Sequence, residues 1–158
     1  MWTAMPTPPW TATAQVRIPY DVNSTKVAAG YTLYKGPDGA MTTFTCGSRN
    51  WNGHQGFGYN TTHWGSDKVT VNATNDVSMS DASFVGNWVW NRISMDTSNV
   101  ITCSVQYDWG SSSPPNTGWV NAAILTIDSA HHPDRIAFLL KTGSATDTSV
   151  EHRYWSLT

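Results

Sequence analysis

Apolar and polar residues alternate along most of this chain with a period of two, the signature of strands rather than helices. The clearest case is the stretch 87–110, NWVWNRISMDTSNVITCSVQYDWG. Its first run sets Val89, Asn91, Ile93 and Met95 on one parity and Trp88, Trp90 and Arg92 on the other. Beyond the polar segment 96–99, Ile101, Cys103, Val105 and Tyr107 alternate with Thr102, Ser104 and Gln106. Two such runs about a short turn predict an antiparallel hairpin. Large apolar groups on both faces of the first run place it deep in a sheet.

The same reading extends both ways. Ala12, Ala14, Val16 and Ile18 alternate with Thr11, Thr13, Gln15 and Arg17, a half-buried strand ended by Pro19. Strands are expected over 27–34 and 41–46, joined through the Gly-Pro-Asp-Gly turn at 36–39. Further strands are expected over 68–72, 119–127, 135–140 and 150–155, with a turn at 129–133. Residues 47–66, crowded with Gly, Asn and aromatic rings, read mainly as loop around a short strand at 57–60. Residues 73–86 and 110–118 read as polar connections. Residues 1–9 hold three of the eight prolines and read as an extended arm or linker, leaving 10–158 as one domain. Around ten short strands with frequent turn signals predict an all-β fold, a two-sheet antiparallel β-sandwich or a barrel.

Length and charge narrow the picture. A compact fold of 158 residues buries roughly 70% of its unfolded surface, enough for a core without staples. The two cysteines, Cys46 and Cys103, fit either a bridge or two buried thiols. Charged residues are only 13% of the chain, its net charge is −2, and Lys and Arg do not cluster. No phosphate-tracking surface is expected, and so no nucleic-acid partner. No apolar run approaches the roughly 18 residues of a membrane span. The N-terminus lacks the basic and apolar regions of a secretory signal, so the sequons at Asn23, Asn60 and Asn72 carry little weight.

The chemistry the chain offers is aromatic. Glu151 is its one glutamate, and the aspartates stand singly in turn-like contexts such as Asp38, Asp96, Asp108 and Asp134. The facing acid pair of a glycoside hydrolase is not visible, and neither is a nucleophile elbow, a zinc helix or a phosphate loop. The expectation is a protein that is not an enzyme. His131-His132 reads as an exposed loop pair. Asp96 and Asn99 share a turn, yet calcium needs about six to eight converging oxygens, so neither metal nor cofactor is expected. Nine tryptophans are a positive signal. Trp51, His54, Tyr59, His63 and Trp64 fall in the 47–66 segment, and Trp109 and Trp119 flank the next loop. Rings there can stack on the C–H face of a sugar while polar neighbours bond its hydroxyls. These seven are the candidate glycan-binding residues. The competing reading makes the rings lids over the core or contacts with a neighbouring subunit. Trp88, Trp90 and Trp155 read as core or sheet-face packing.

Several pieces, in order, resemble one family. They are "PWTATAQVRIP", "GYTLYKGPDG", "MTTF", the 87–110 hairpin, "HPDRIAFLL" and "HRYWSL". Together they are similar to the lectin-like (concanavalin A-like, laminin-G-like) jelly-roll domains often found in bacteriophage virion proteins. Tyr107-Asp108-Trp109-Gly110 departs from the family's usual Ser-x-Asp-Gly, and 47–66 has no clear counterpart. The resemblance implies a jelly roll serving as a head decoration, head-fibre or tail-fibre module. Such a module would be made in the host bacterial cytoplasm and located in the virion. Its expected partners are other virion proteins and copies of itself, as in a trimer, with host surface glycans as a further contact. The alternatives are a free carbohydrate-binding lectin and, third, a glycoside hydrolase or polysaccharide lyase.

Overall fold

The structure, a computed structural model, describes residues 2–17, 27–34, 41–51, 54–64, 75–78, 86–106, 110–126, 132–142 and 150–158. Among these are eleven strands and no helix: β1 (Trp2–Ala4), β2 (Trp10–Arg17), β3 (Val27–Tyr34), β4 (Met41–Trp51), β5 (His54–Trp64), β6 (Asn75–Ser78), β7 (Val89–Met95), β8 (Val100–Gln106), β9 (Val120–Thr126), β10 (Arg135–Thr142) and β11 (Glu151–Leu157). They form two antiparallel sheets, ordered β1-β10-β3-β4-β5-β6 and β11-β2-β7-β8-β9. The chain is therefore the β-sandwich its alternation predicts. β2 pairs with β11 and β3 with β10, so the two ends of the chain nest around two meanders, β3 to β6 and β7 to β9. The layers meet where β4 lies against β7 and β8, β5 and β6 against β9, and β2 against β3.

The central hairpin forms as expected. Asp96 closes it by accepting hydrogen bonds at Oδ1 from the Ser98 and Val100 amides, at 2.8 and 2.9 Å. Asn99 takes the left-handed conformation at φ 65°, which asparagine tolerates better than most residues. Val89, Ile93 and Met95 meet Ile101, Cys103 and Val105 in the core, beside Trp10, Ala12, Ala14 and Val16 of β2. Tyr31 and Leu33 of β3 and Ile136 of β10 supply the facing layer. The Tyr31 hydroxyl donates 3.1 Å to the Asn91 carbonyl across the layers, and burial drives its pKa well above the ordinary tyrosine value, with Tyr154 adding to the rise.

Four expectations change. Residues 47–66 are mostly strand, because β4 and β5 are eleven-residue partners from Met41↔Trp64 to Trp51↔His54. Residues 75–78 of the expected polar connection are β6, paired to β5. The segment 1–9 is partly built into the sheet, since Trp2, Thr3 and Ala4 pair with Ala137, Ile136 and Arg135. Finally, β2 is not half-buried. Thr13 and Gln15, on the face its polar parity marks as solvent-facing, are 6% and 0% exposed, because other parts of the chain cover that face. The turn expected at 36–39, the strand at 68–72, the first part of the 129–133 turn and the sequons at Asn23 and Asn72 lie outside the described residues.

The cysteines join the layers. Cys103, fully buried on β8, is disulfide-bonded, and the chain's other cysteine is Cys46, on β4. The bridge therefore crosses from one sheet to the other.

Candidate functional site

The candidate residues on the β4–β5 hairpin are spread along its length. Trp51 and His54 are register partners at one end of the β4–β5 hairpin, while His63 and Trp64 pair with Thr42 and Met41 at the other. His54 and Trp64 stand ten steps apart on β5, about 30 Å at the usual rise. Tyr59, opposite Cys46, lies between them. Trp109 is outside the described residues, as is His131.

Trp119 is described, and its ring is held by contacts within the chain. Its Nε1–H donates 2.9 Å to the Pro115 carbonyl, and the Arg92 guanidinium lies 4.1 Å from its ring centroid. Burial there lowers the Arg92 pKa. Together they pin the segment 110–119 across the outer face of the β11-β2-β7-β8-β9 sheet. The Ser111 carbonyl accepts from Gln15 Nε2 at 3.2 Å and from Arg153 Nη2 at 3.1 Å. Gln106 Nε2 donates 2.7 Å to the Thr117 carbonyl. Under and beside this strap, Trp90 packs edge-on to Tyr154 with centroids 5.0 Å apart. Trp88 holds two guanidiniums, Arg17 at 5.0 Å and Arg153 at 4.6 Å. This explains why Gln15 and Trp90 are buried on a face that faces away from the core.

The strap also makes a local prediction. Gly118 has φ +79°, and a Cβ there would overlap Gln106 Nε2. Gly118→Ala must therefore strain the backbone and displace the amide that holds Thr117. The expected cost is about 2 kcal/mol, from left-handed strain plus one hydrogen bond, and urea unfolding measures it.

A second cluster was not expected from the sequence. β11 carries a bulge between His152 and Tyr154. His152 pairs with Val16 and Trp155 with Ala14, both core-facing positions of β2. A regular strand would point residues three apart to opposite faces. The bulge instead turns both rings toward Phe138 of β10, at centroid distances of 4.3 Å (His152) and 4.7 Å (Trp155). The extra residue, Arg153, goes to the other face, where Nε bonds Gln15 Oε1. Tyr31 closes the cluster from below, 6.1 Å from Phe138 and 5.7 Å from Trp155. Phe138 and Trp155 are 39% and 37% exposed, so the cluster opens to solvent at the side of the sandwich.

Burial lowers the His152 pKa below its ordinary 6.5. A group with a depressed folded pKa binds its proton less tightly folded than unfolded. The stability it adds is complete above about pH 6.5 and is lost as pH falls through the folded value. Replacing His152 by Gln should flatten the loss of stability between about pH 7 and pH 5, read from urea midpoints at each pH.

Three carboxylates of the described residues serve the framework. Glu151 accepts from Arg17 Nε at 2.8 Å, Asp134 lies 3.5 Å from Arg135 Nε, and Asp96 closes its turn. Among the described residues no three His, Cys, Asp or Glu side chains gather as a metal site would require. The expected exposed loop pair 131–132 is corrected at its second member, since His132 Nε2 is buried with no hydrogen-bond partner. No protein-family model matches the chain, and no curated protein is significantly similar to it.

Proposed function

We propose that this chain is a non-enzymatic β-sandwich module of a bacteriophage particle, a decoration or fibre part that assembles with other virion proteins and with copies of itself. The supporting observation is the order of the resembling pieces. They fall in sequence on β2, β3, β4, the β7–β8 hairpin, β10 and β11 of one sandwich. A disulfide between the sheets suits a protein that works outside the reducing cytoplasm, virion surfaces included. Mass spectrometry of purified particles from the source, with immunogold labelling, tests the reading. A stoichiometric copy on head or tail is expected, and particles lacking the chain would end it. Light scattering of the purified protein should show a closed oligomer such as a trimer.

A second part of the reading is contact with host surface glycans. The observation favouring it is the part-exposed ring cluster of Phe138, His152 and Trp155 rather than the β4–β5 residues marked by the sequence.

A further inference from the structure

We propose that Phe138, His152 and Trp155 form a sugar-binding notch at the open side of the sandwich, taking one pyranose ring of a neutral glycan. The inference rests on the glycan-contact reading and is independent of the particle assignment.

Geometry supports a ring-sized ligand. Phe138 touches both His152 and Trp155, whose planes are tilted 49° and 68° from its own. Rings set at such angles make a corner, in which a pyranose can lay its C–H face on one ring while its edge meets another. His152 adds a polar tip that can bond a hydroxyl. The bulge matters here, because bulges re-aim side chains and recur beside functional sites. Without it His152 would not share a face with Trp155.

Charge favours a neutral sugar. Among the described residues, two cations of this edge are engaged, Arg17 with Glu151 and Arg153 with Gln15 and the Ser111 carbonyl on the opposite face. Neither is placed to hold an acidic sugar in the notch.

The same edge argues against a second protein chain. β11 is the outer strand of its sheet, but its first half carries Glu151, His152 and Arg153 together with the bulge. Charge and bulges are how sheet edges resist pairing. Three part-exposed rings offer on the order of 250 Å² between them, against roughly 800 Å² per partner in a stable protein interface.

The test is a titration of 15N-labelled wild-type protein, followed by NMR. The probes are the methyl pyranosides of glucose, galactose and mannose, N-acetylglucosamine, and short cello-, malto- and xylo-oligosaccharides. At least one should give saturable shifts centred on the Trp155 indole N–H and the Phe138 and His152 amides. Trp155→Ala and His152→Ala should weaken that sugar about tenfold or more, or ~1.4 kcal/mol. Ile124→Ser, at the exposed position on the far edge strand β9, should bind as wild type. If Trp155→Ala does not fold, the wild-type shift map and His152→Ala decide. The proposal is overturned if no probe gives saturable shifts, or if the shifts centre elsewhere. It is equally overturned if Trp155→Ala converts a multimer to monomer, which would make the notch an interface between copies. Failure here leaves the particle test untouched, and failure of that test leaves this one standing.

Discussion

Cys103→Ser lowers the stability of the fold by about 4 kcal/mol, the chain-entropy value for the loop of nearly sixty residues that the bridge closes. The midpoint of thermal unfolding should fall by on the order of 10 °C for a domain of this size. The size of the effect follows from where the bridge sits. β3 to β6 and β7 to β9 are local meanders, each able to form from near neighbours, whereas the contacts between sheets bring together distant parts of the chain. A link from β4 to β8 removes conformations of the unfolded chain in which the two meanders drift apart. Urea unfolding of wild type with and without reductant, beside Cys103→Ser and Cys46→Ser, separates the bridge from the packing. Reduced wild type should match the two variants to within the small cost of a buried hydroxyl. If reduction leaves the midpoint unmoved, the bridge contributes nothing to the equilibrium.

What the sequence revealed, and what it concealed, divides by how local the determining interactions are. β2, β7 and β8 were legible because each alternates over seven or eight residues and has a buried face, and β3, β10 and β11 because apolar or aromatic runs of strand length stand between turn signals. β4 and β5 were half hidden by glycine. Gly30, Gly47 and Gly58 stand in one row across three strands, and composition alone counts each of them against a strand. A usable signal was present all the same. Asn52-Gly53 stands between Trp51 and His54, which pair in register, and Asn-Gly between two such runs is the strongest short hairpin sign. Reading it would have split the ring-bearing segment into the two ends of a hairpin and removed the idea of one aromatic loop.

The ring cluster was hidden for a different reason. Strict alternation assigns His152 and Trp155 to opposite faces, and nothing in HRYWSL announces the bulge that unites them. Phe138 and His152 are fourteen residues apart in sequence, and only the nesting of β10 against β3 and β11 against β2 brings them together. The strap over the outer face is equally non-local, since Gln15 and the Ser111 carbonyl it bonds are ninety-six positions apart. Sequence patterning reports which face of a strand is apolar. It does not report which polar face another part of the chain will cover, and here that cover buries Thr13 and Gln15 of β2 and Trp90 of β7 on the face away from the core.

Trp90 tests that covered face most directly. It is 0% exposed, held edge-on by Tyr154, and its register partners are Gln15 on β2 and Gln106 on β8, both of which hold the 110–119 strap. Trp90→Ala should cost about 3–5 kcal/mol, the range for emptying a buried aromatic site, and should loosen the strap with it. Trp90→Phe should behave differently. The indole Nε1–H is buried with no hydrogen-bond partner, a penalty of about 1–3 kcal/mol that wild type already carries. Phenylalanine keeps most of the ring and discards that donor, so the lost contacts and the relieved penalty nearly cancel. Its midpoint in urea should lie within about 1 kcal/mol of wild type, while hydrogen exchange at the strap amides rises only for the alanine variant. Equal losses for Phe and Ala would mean the donor is satisfied in solution, by an ordered water under the strap. The outer face would then be a wet layer rather than a second dry core.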